Sequence, residues 1–425
     1  MTIYLDHNAT TPLRPEVWEA MARVEFGDEP RGNPSSVHKI GVNAARLLQQ
    51  CRETVAGALG AEAGEVLFAG GGTEAINLAL KGAVGASGRE APHLVSSPTE
   101  HHAVLHALSG LSGTRGCPVT LCPVDNRGLL DPGVLAAALR PDTLLVSVMH
   151  VNNEVGTIQP VSEIGRLCQE RGLLFHVDAV QSAGKLPVKV ADLHCDLLSL
   201  SAHKFGGPQG VGALFVRRGT PLAPLIQGGP QEAKLRAGTQ NLAGIVGLAT
   251  ALELAEKERE SRLQRWRELR EILYRLPREL EAVRVNSHPN ATLPNVVNMT
   301  FMYCDGMSLC MNLSLRGICV STSSACTAGD LQPSHVLKAM GLSDRAAHGA
   351  VRFSMGRQTT AEELEETVAV AKKIVPQLRL LTRPEDIGKC KDDCPCFLTG
   401  QNQEGYARRV PAGSVHERGS GGRTR

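Results

Sequence analysis

The sequence predicts an α/β fold: a mostly parallel sheet covered by helices on both faces, followed by a smaller α+β lobe. Three observations carry this. Short segments apolar on both faces, such as Thr143–Met149 and Leu173–Val177, alternate with helical stretches. Strands without polar alternation belong in sheets buried on both sides. Glycine clusters at 70–72 and 206–210 border such segments. After Ala255 the texture changes to a highly charged stretch and then to a different mixture of strands and helices.

The elements follow in order. Ile3-Tyr4-Leu5 opens as a strand, with no charged or apolar leader before it. Glu65–Phe68 is strand-like and runs through a glycine turn into a helix over about Glu74–Val84. His93–Ser96, Thr143–Met149, Leu173–Val177, Leu197–Leu200 and Val211–Val216 are further short strands. Gly165–Arg171 and Asn241–Ala255 read as covering helices. Glu256–Arg278 reads as one charged, solvated helix connecting two lobes. Val296–Phe301 and Val351–Ser354 are strands of the second lobe. Thr360 and Glu363 form a capping box that opens a helix towards Leu381. From Arg383 onward periodicity ends, and the tail is expected to be flexible.

Composition limits the function classes. The chain has 425 residues, 42% hydrophobic and 21% charged, which suits a globular protein with a large core. A net charge of +2 gives no broad basic field for nucleic acid. No apolar run approaches the ~20 residues a membrane helix needs. The 12 cysteines are scattered, so reduced thiols in a cytoplasmic protein are expected rather than a disulfide framework.

Six places carry candidate chemistry. Lys204, in Ser201-Ala202-His203-Lys204, stands between an apolar strand and a glycine cluster. A desolvated lysine there is a nucleophilic amine able to condense with a carbonyl; the alternative is a solvated loop lysine. Ala69-Gly70-Gly71-Gly72-Thr73-Glu74 feeds a strand into a helix start, which gathers free N–H groups into a phosphate site. A plain helix cap fits equally well. Asp178 ends a buried strand, where ligands of open α/β sheets bind, and could keep a pyridine nitrogen protonated. His101, in Thr99-Glu100-His101-His102, could stack on an aromatic ligand or shuttle protons, or merely start a surface helix. Further along, Ser321 to Asp330 is a small, polar segment holding Cys326, a reachable thiol and candidate nucleophile. Cys304, Cys310 and Cys319 lie in more apolar surroundings and read as core. Arg352 interrupts an apolar strand and calls for a buried carboxylate partner.

These motifs, with Tyr4–Pro12, Gly32-Asn33-Pro34-Ser35-Ser36-Val37-His38, His150–Glu154 and Arg236-Ala237-Gly238-Thr239, resemble those of the cysteine desulfurases, class V fold-type I pyridoxal phosphate enzymes of the long-loop group. The resemblance runs from Tyr4 to about Leu381. It implies a seven-stranded sheet in a large domain over 13–256, and a small domain from 1–12 and 257–382 with the cysteine loop at about 320–333. A Cys-containing tail at 383–425 completes the chain. It implies that Lys204 carries the cofactor and moves protons, that Asp178 pairs with the ring nitrogen, and that Gln181 reaches the ring oxygen. His101 would stack on the ring. Gly72, Thr73, Ser201 and His203 would hold the phosphate, with Thr239 supplied by the other subunit of a homodimer. Arg352 and Asn153 would fix the substrate carboxylate. Cys326 would take sulfur from L-cysteine, leaving L-alanine, and pass the persulfide to an acceptor such as an Fe–S scaffold or a tRNA-thiolation enzyme; it could also ligate Fe–S during transfer. Another enzyme of the same cofactor class, such as a selenocysteine lyase or aminotransferase, and a non-catalytic scaffold are the competing readings.

The chain departs from that pattern at His7, where relatives often carry Asn or Asp, and in Gly228–Arg236, which lacks a His and an Arg often found there. The loop also lacks a glycine common before Ser-Ala-Cys. Cys390, Cys394 and Cys396 form a C-x₃-C-x-C cluster without an evident fourth ligand. Zinc or Fe–S binding, sulfur relay and incidental tail thiols are its possible readings.

Overall fold

The computed structural model describes residues 2–27, 32–322 and 332–381. Cys326, Cys390, Cys394 and Cys396 lie outside them. A seven-stranded sheet runs, from edge to edge, Val66–Ala69, Gly212–Val216, Leu197–Ser201, Leu174–Asp178, Thr143–Met149, His93–Ser96, Val119–Leu121. Five adjacent strands are parallel, and Gly212–Val216 is antiparallel to both its neighbours. The predicted strands are therefore present, with ends displaced by a residue or two.

Their two-sided apolar character has a direct cause. Val66, Phe68, Val146, Val148, Leu198, Leu200 and Phe215 point to one face, which helices Pro15–Phe26, Lys39–Leu59, Val161–Glu170 and Leu242–Lys257 cover. Leu67, Leu145, Leu197 and Leu214 point to the other, covered by Gly72–Ala86 and His102–Arg115. Side chains alternate along a strand, so burying both faces leaves no polar alternation.

A second core surrounds a four-stranded antiparallel sheet, ordered Ser321–Thr322, Ala350–Ser354, Val296–Phe301, Val283–Val285. Thr360 and Glu363 form the expected capping box, and the helix runs Ala361–Arg379. The charged stretch after Ala255 is different from the expectation. The Leu242–Lys257 helix ends at Glu258, a new helix runs Arg259–Leu273, and a short one follows at Leu276–Glu279. It is not a solvated connector: Leu263, Trp266, Leu269 and Leu273 lie on one stripe and are buried in the second core.

The N-terminal segment ties the two sheets together. Ile3–Tyr4 pairs with Ile318–Cys319, the His7 N–H donates to Ser354 O, and the Thr11 hydroxyl donates to His203 O at 2.7 Å. Among the described residues all eight cysteines are free thiols. Cys304 is core, whereas Cys310 and Cys319 are only half-buried, because each sits on a sheet-edge or helix position with one side open. No described helix is long and apolar enough to cross a membrane.

Candidate active site

The sheet delivers its chemistry at one edge. The Leu174–Asp178 strand ends at Asp178, and Leu197–Ser201 ends at Ser201 and turns directly into Ala202–Lys204. Val66–Ala69 ends before the Gly72 helix, and His93–Ser96 leads to His101. This is the carboxyl-end crevice in which open α/β sheets bind ligands. A pocket opens there, lined by Gly72, Thr73, His101, Asp178, Lys204 and Arg352 among others. Asn153, Gln181, Ser201 and His203 line it as well. Thr239 is exposed and lies outside it.

Each side chain has a definite state. The half-buried Lys204 donates from Nζ to Asn8 O at 2.7 Å and Ala9 O at 2.8 Å. Asp178 is buried, and burial pushes its carboxyl up to about 6, against the Val180 N–H that donates to Oδ1 at 2.9 Å and the nearby Lys204. His101 caps the His102–Arg115 helix, its Nδ1 accepting from Ala103 N at 3.0 Å. Burial, then the charge of Lys204, pushes its imidazole down to about 4. It is thus both the helix start and a pocket residue, presenting a neutral ring. His203 is held down to about 4 for the same reasons, and its Nδ1 meets Thr10 Oγ1 at 3.1 Å.

The glycine turn is a cradle. Gly71 has φ of 148° with open space beside it, and a Cβ on Gly72 would meet Val180 Cγ2 at 2.8 Å. Only glycine leaves the helix N–H groups accessible at this corner, where the helix dipole favours an anion. Arg236 secures the turn from outside: its Nε donates to Glu74 Oε1 at 2.8 Å, and Glu74 Oε2 accepts from Gly70 N. In the divergent 228–236 segment, Glu232, Ala233 and Lys234 all have left-handed φ. Buried Glu232 holds them there by accepting from Arg52 twice and from Phe68 N at 2.9 Å.

Arg352 reaches the pocket from the other sheet. Its Nη2 donates to Asp6 Oδ1 at 2.6 Å and its Nη1 to Asn153 O at 3.0 Å, so the expected carboxylate partner exists. Its Nε is buried without a hydrogen-bond partner.

Three comparisons with known proteins bear on this geometry. The protein-family model for aminotransferase class-V matches residues 3–367. The chain belongs to the aminotransferase class-V family. Among its class-V relatives, cysteine desulfurase IscS of Dictyoglomus turgidum is 45% identical over 381 residues, covering 89% of this chain and 96% of that protein. IscS of Methanosarcina thermophila is 45% identical over 377 residues, 89% and 93% of the two chains. A solved NifS-like protein superposes with a TM-score of 0.83 at 39% identity, covering 89% of this chain and all of that one. A structure of SspA in complex with cysteine gives a TM-score of 0.74 at 36% identity, covering 83% and 99%.

Lys185 and Ser334 of this class-V site had no signal in sequence, and the buried contacts of Gln181, Glu154 and His7 were not readable from their motifs. Lys185 is buried and donates from Nζ to Gln181 Oε1 at 2.9 Å, while Gln181 Nε2 donates to Asn8 O at 3.0 Å. Asn8 O thus receives both Gln181 and Lys204. Glu154 accepts from Ser334 Oγ at 2.5 Å, and burial pushes its carboxyl up to about 7, opposed by Ser334 and Arg352. Position 7 holds a buried His whose Nδ1 has no partner.

Proposed function

We propose that this chain is a pyridoxal phosphate-dependent cysteine desulfurase, converting L-cysteine to L-alanine and a persulfide on Cys326. The observation that carries the reading is the convergence of Lys204, Asp178, His101, the Gly72 helix start and Arg352 on one pocket. The residues fit the cofactor: a cradle that a Cβ would close suits a phosphate, a buried carboxylate suits a pyridinium, and a lysine suits its aldehyde. Gly72, Thr73, Ser201 and His203 would hold the phosphate, with Thr239 given to a second copy in a homodimer. Asp178 would keep the ring nitrogen protonated, Gln181 would meet the ring oxygen and His101 would lie against the ring. Bound pyridoxal phosphate supplies an electron sink for negative charge at the substrate Cα.

The protein's own groups do the rest. Arg352 and Asn153 bind the carboxylate of L-cysteine, with Asp6 keeping the guanidinium in place. Lys204 takes the Cα proton and later returns one. The Cys326 thiolate attacks the substrate Sγ, the Cβ–Sγ bond breaks, and L-alanine leaves. Cys326 retains a persulfide and transfers it to an acceptor protein of Fe–S cluster assembly or tRNA thiolation. A cytoplasmic setting suits the free thiols of the described cysteines, which a reducing compartment keeps unpaired.

The test is turnover of L-cysteine by the cofactor-loaded chain. Equal amounts of alanine and transferred sulfur are expected. Production of 3-mercaptopyruvate with transfer of the amino group to a keto acid would instead point to the aminotransferase reading, and pyruvate with free sulfide to a plain β-elimination.

A further inference from the structure

Among the described residues, a second cleft shares only Lys204 with the first pocket. Its walls come from the 7–15 segment, the Arg259–Leu273 helix and residues 355–358. Arg14, Lys185, Arg262 and Arg357 line it with Lys204, and no acidic side chain does so among the described residues. Glu258 takes both Nη groups of Arg14, but from outside the lining. Lys185 donates to the neutral Gln181 oxygen, and no carboxylate among the described residues pairs with it. Burial, with Lys204, Arg262 and Arg352 nearby, pushes its ammonium well below the ordinary range.

Four buried polar atoms of the lining residues lack partners: His7 Nδ1, Arg14 Nε, Arg262 Nε and Asn295 Oδ1. His7, Arg14 and Asn295 are 8%, 4% and 1% exposed. Buried polar atoms are nearly always hydrogen-bonded, and four orphans around one cavity ask for a polar occupant. The remaining wall is apolar, with Leu13, Phe205, Trp266 and Met355. The carboxylates near these cations, Glu16 and Glu258 beside Arg14 and Glu256 and Glu258 near Arg262, stand outside the lining, so the cleft itself presents cations and orphaned polar atoms beside an apolar wall, which suits a ligand with an anionic head and a hydrocarbon body.

We propose that this cleft binds a small carboxylic acid with an apolar tail, its carboxylate among Arg262, Lys185 and the orphaned donors, its tail against Phe205, Trp266 and Met355. Binding there requires no desulfurase chemistry. Because Lys204 belongs to both cavities, the bound anion also changes the field at that amine.

The test is calorimetric titration of hexanoate into the cofactor-loaded full chain. A second readout is Trp266 fluorescence in Trp18→Phe, which leaves one of the two tryptophans. One saturable site is expected, and hexanol should bind at least about tenfold more weakly. Arg262→Gln should weaken hexanoate about tenfold. Arg262 also donates to Gly184 O and Ala255 O, so Arg357→Glu at the exposed rim serves as a second variant and should weaken binding in the same direction. Arg352→Gln should leave the affinity unchanged. The proposal is overturned by no saturable binding, by equal affinity for hexanol, by indifference to both Arg262→Gln and Arg357→Glu, or by loss of binding in Arg352→Gln, which would place the probe in the first pocket.

Discussion

Asp178 and Arg352 face one pocket from two different sheets, and they reach it by different routes. Asp178 is the last residue of a parallel strand, and its neighbours in the site, Ser201, Lys204 and the Gly72 turn, also sit at strand ends. Local chain geometry brings them there. Arg352 lies inside an antiparallel strand, and its partner Asp6 is 346 residues away. That side of the pocket depends on the N-terminal segment bridging both sheets. On the proposed function, the sheet-edge side holds the cofactor and the Arg352 side chooses what joins it.

Substitutions on the two sides should therefore fail differently. Lys204→Ala is expected to have the largest effect: turnover falls at least ~10³-fold and the visible absorbance of covalently held cofactor disappears. Cys326→Ala should leave that absorbance intact and reduce alanine formation about 10²-fold or more. An absorbance loss in Cys326→Ala would break the division between the two functions.

Arg352→Gln comes next. Losing a charge-assisted pair to the substrate carboxylate should lower kcat/KM about 10–100-fold, mostly through KM, with cofactor absorbance retained. A pure kcat effect would mean that Arg352 acts on the chemistry and not on substrate binding.

The smallest effect concerns the anchor between Glu154 and Ser334. Glu154 has its folded pKa raised to about 7 from 4.5, so the folded state holds the proton more tightly than the unfolded chain. Its ionisation then costs stability progressively as pH rises from about 4.5 to 7, on the order of 3 kcal/mol. Half-buried His101 and His203 and buried His150, pushed down to about 4, act oppositely: their contribution is present above about 6.5 and is lost as pH falls towards 4. Comparing Glu154→Gln with the parent cancels the histidines. The Tm difference, variant minus parent, should grow from pH 5 to pH 8 in thermal melts. A difference independent of pH would show that Glu154 does not titrate in this range.

What could be read from sequence follows the same division. Asp178, Lys204 and the Gly72-Thr73 turn were legible because a buried strand followed by small residues leaves a mark in consecutive positions. The carboxylate partner of Arg352 was expected, but Asp6 was not named, since no local pattern encodes a contact across 346 residues. Lys185 looked like an ordinary loop lysine, yet it is buried because the turn after Asp178 folds back under the N-terminal segment. The helices Pro15–Phe26 and Lys39–Leu59 went unread, their apolar stripe being built largely from Ala, Gly and Val. The break at Glu258 was missed because charge density concealed the Leu263, Trp266, Leu269, Leu273 stripe.

The central claim is that Cys326 accepts sulfur from L-cysteine activated in the Lys204 pocket. The direct measurement is alkylation and peptide mapping of the cofactor-loaded chain after brief exposure to L-cysteine. The account predicts one added sulfur on the Cys326 peptide, formed together with alanine and absent in Lys204→Ala. Alanine formation with no added sulfur on that peptide would contradict it.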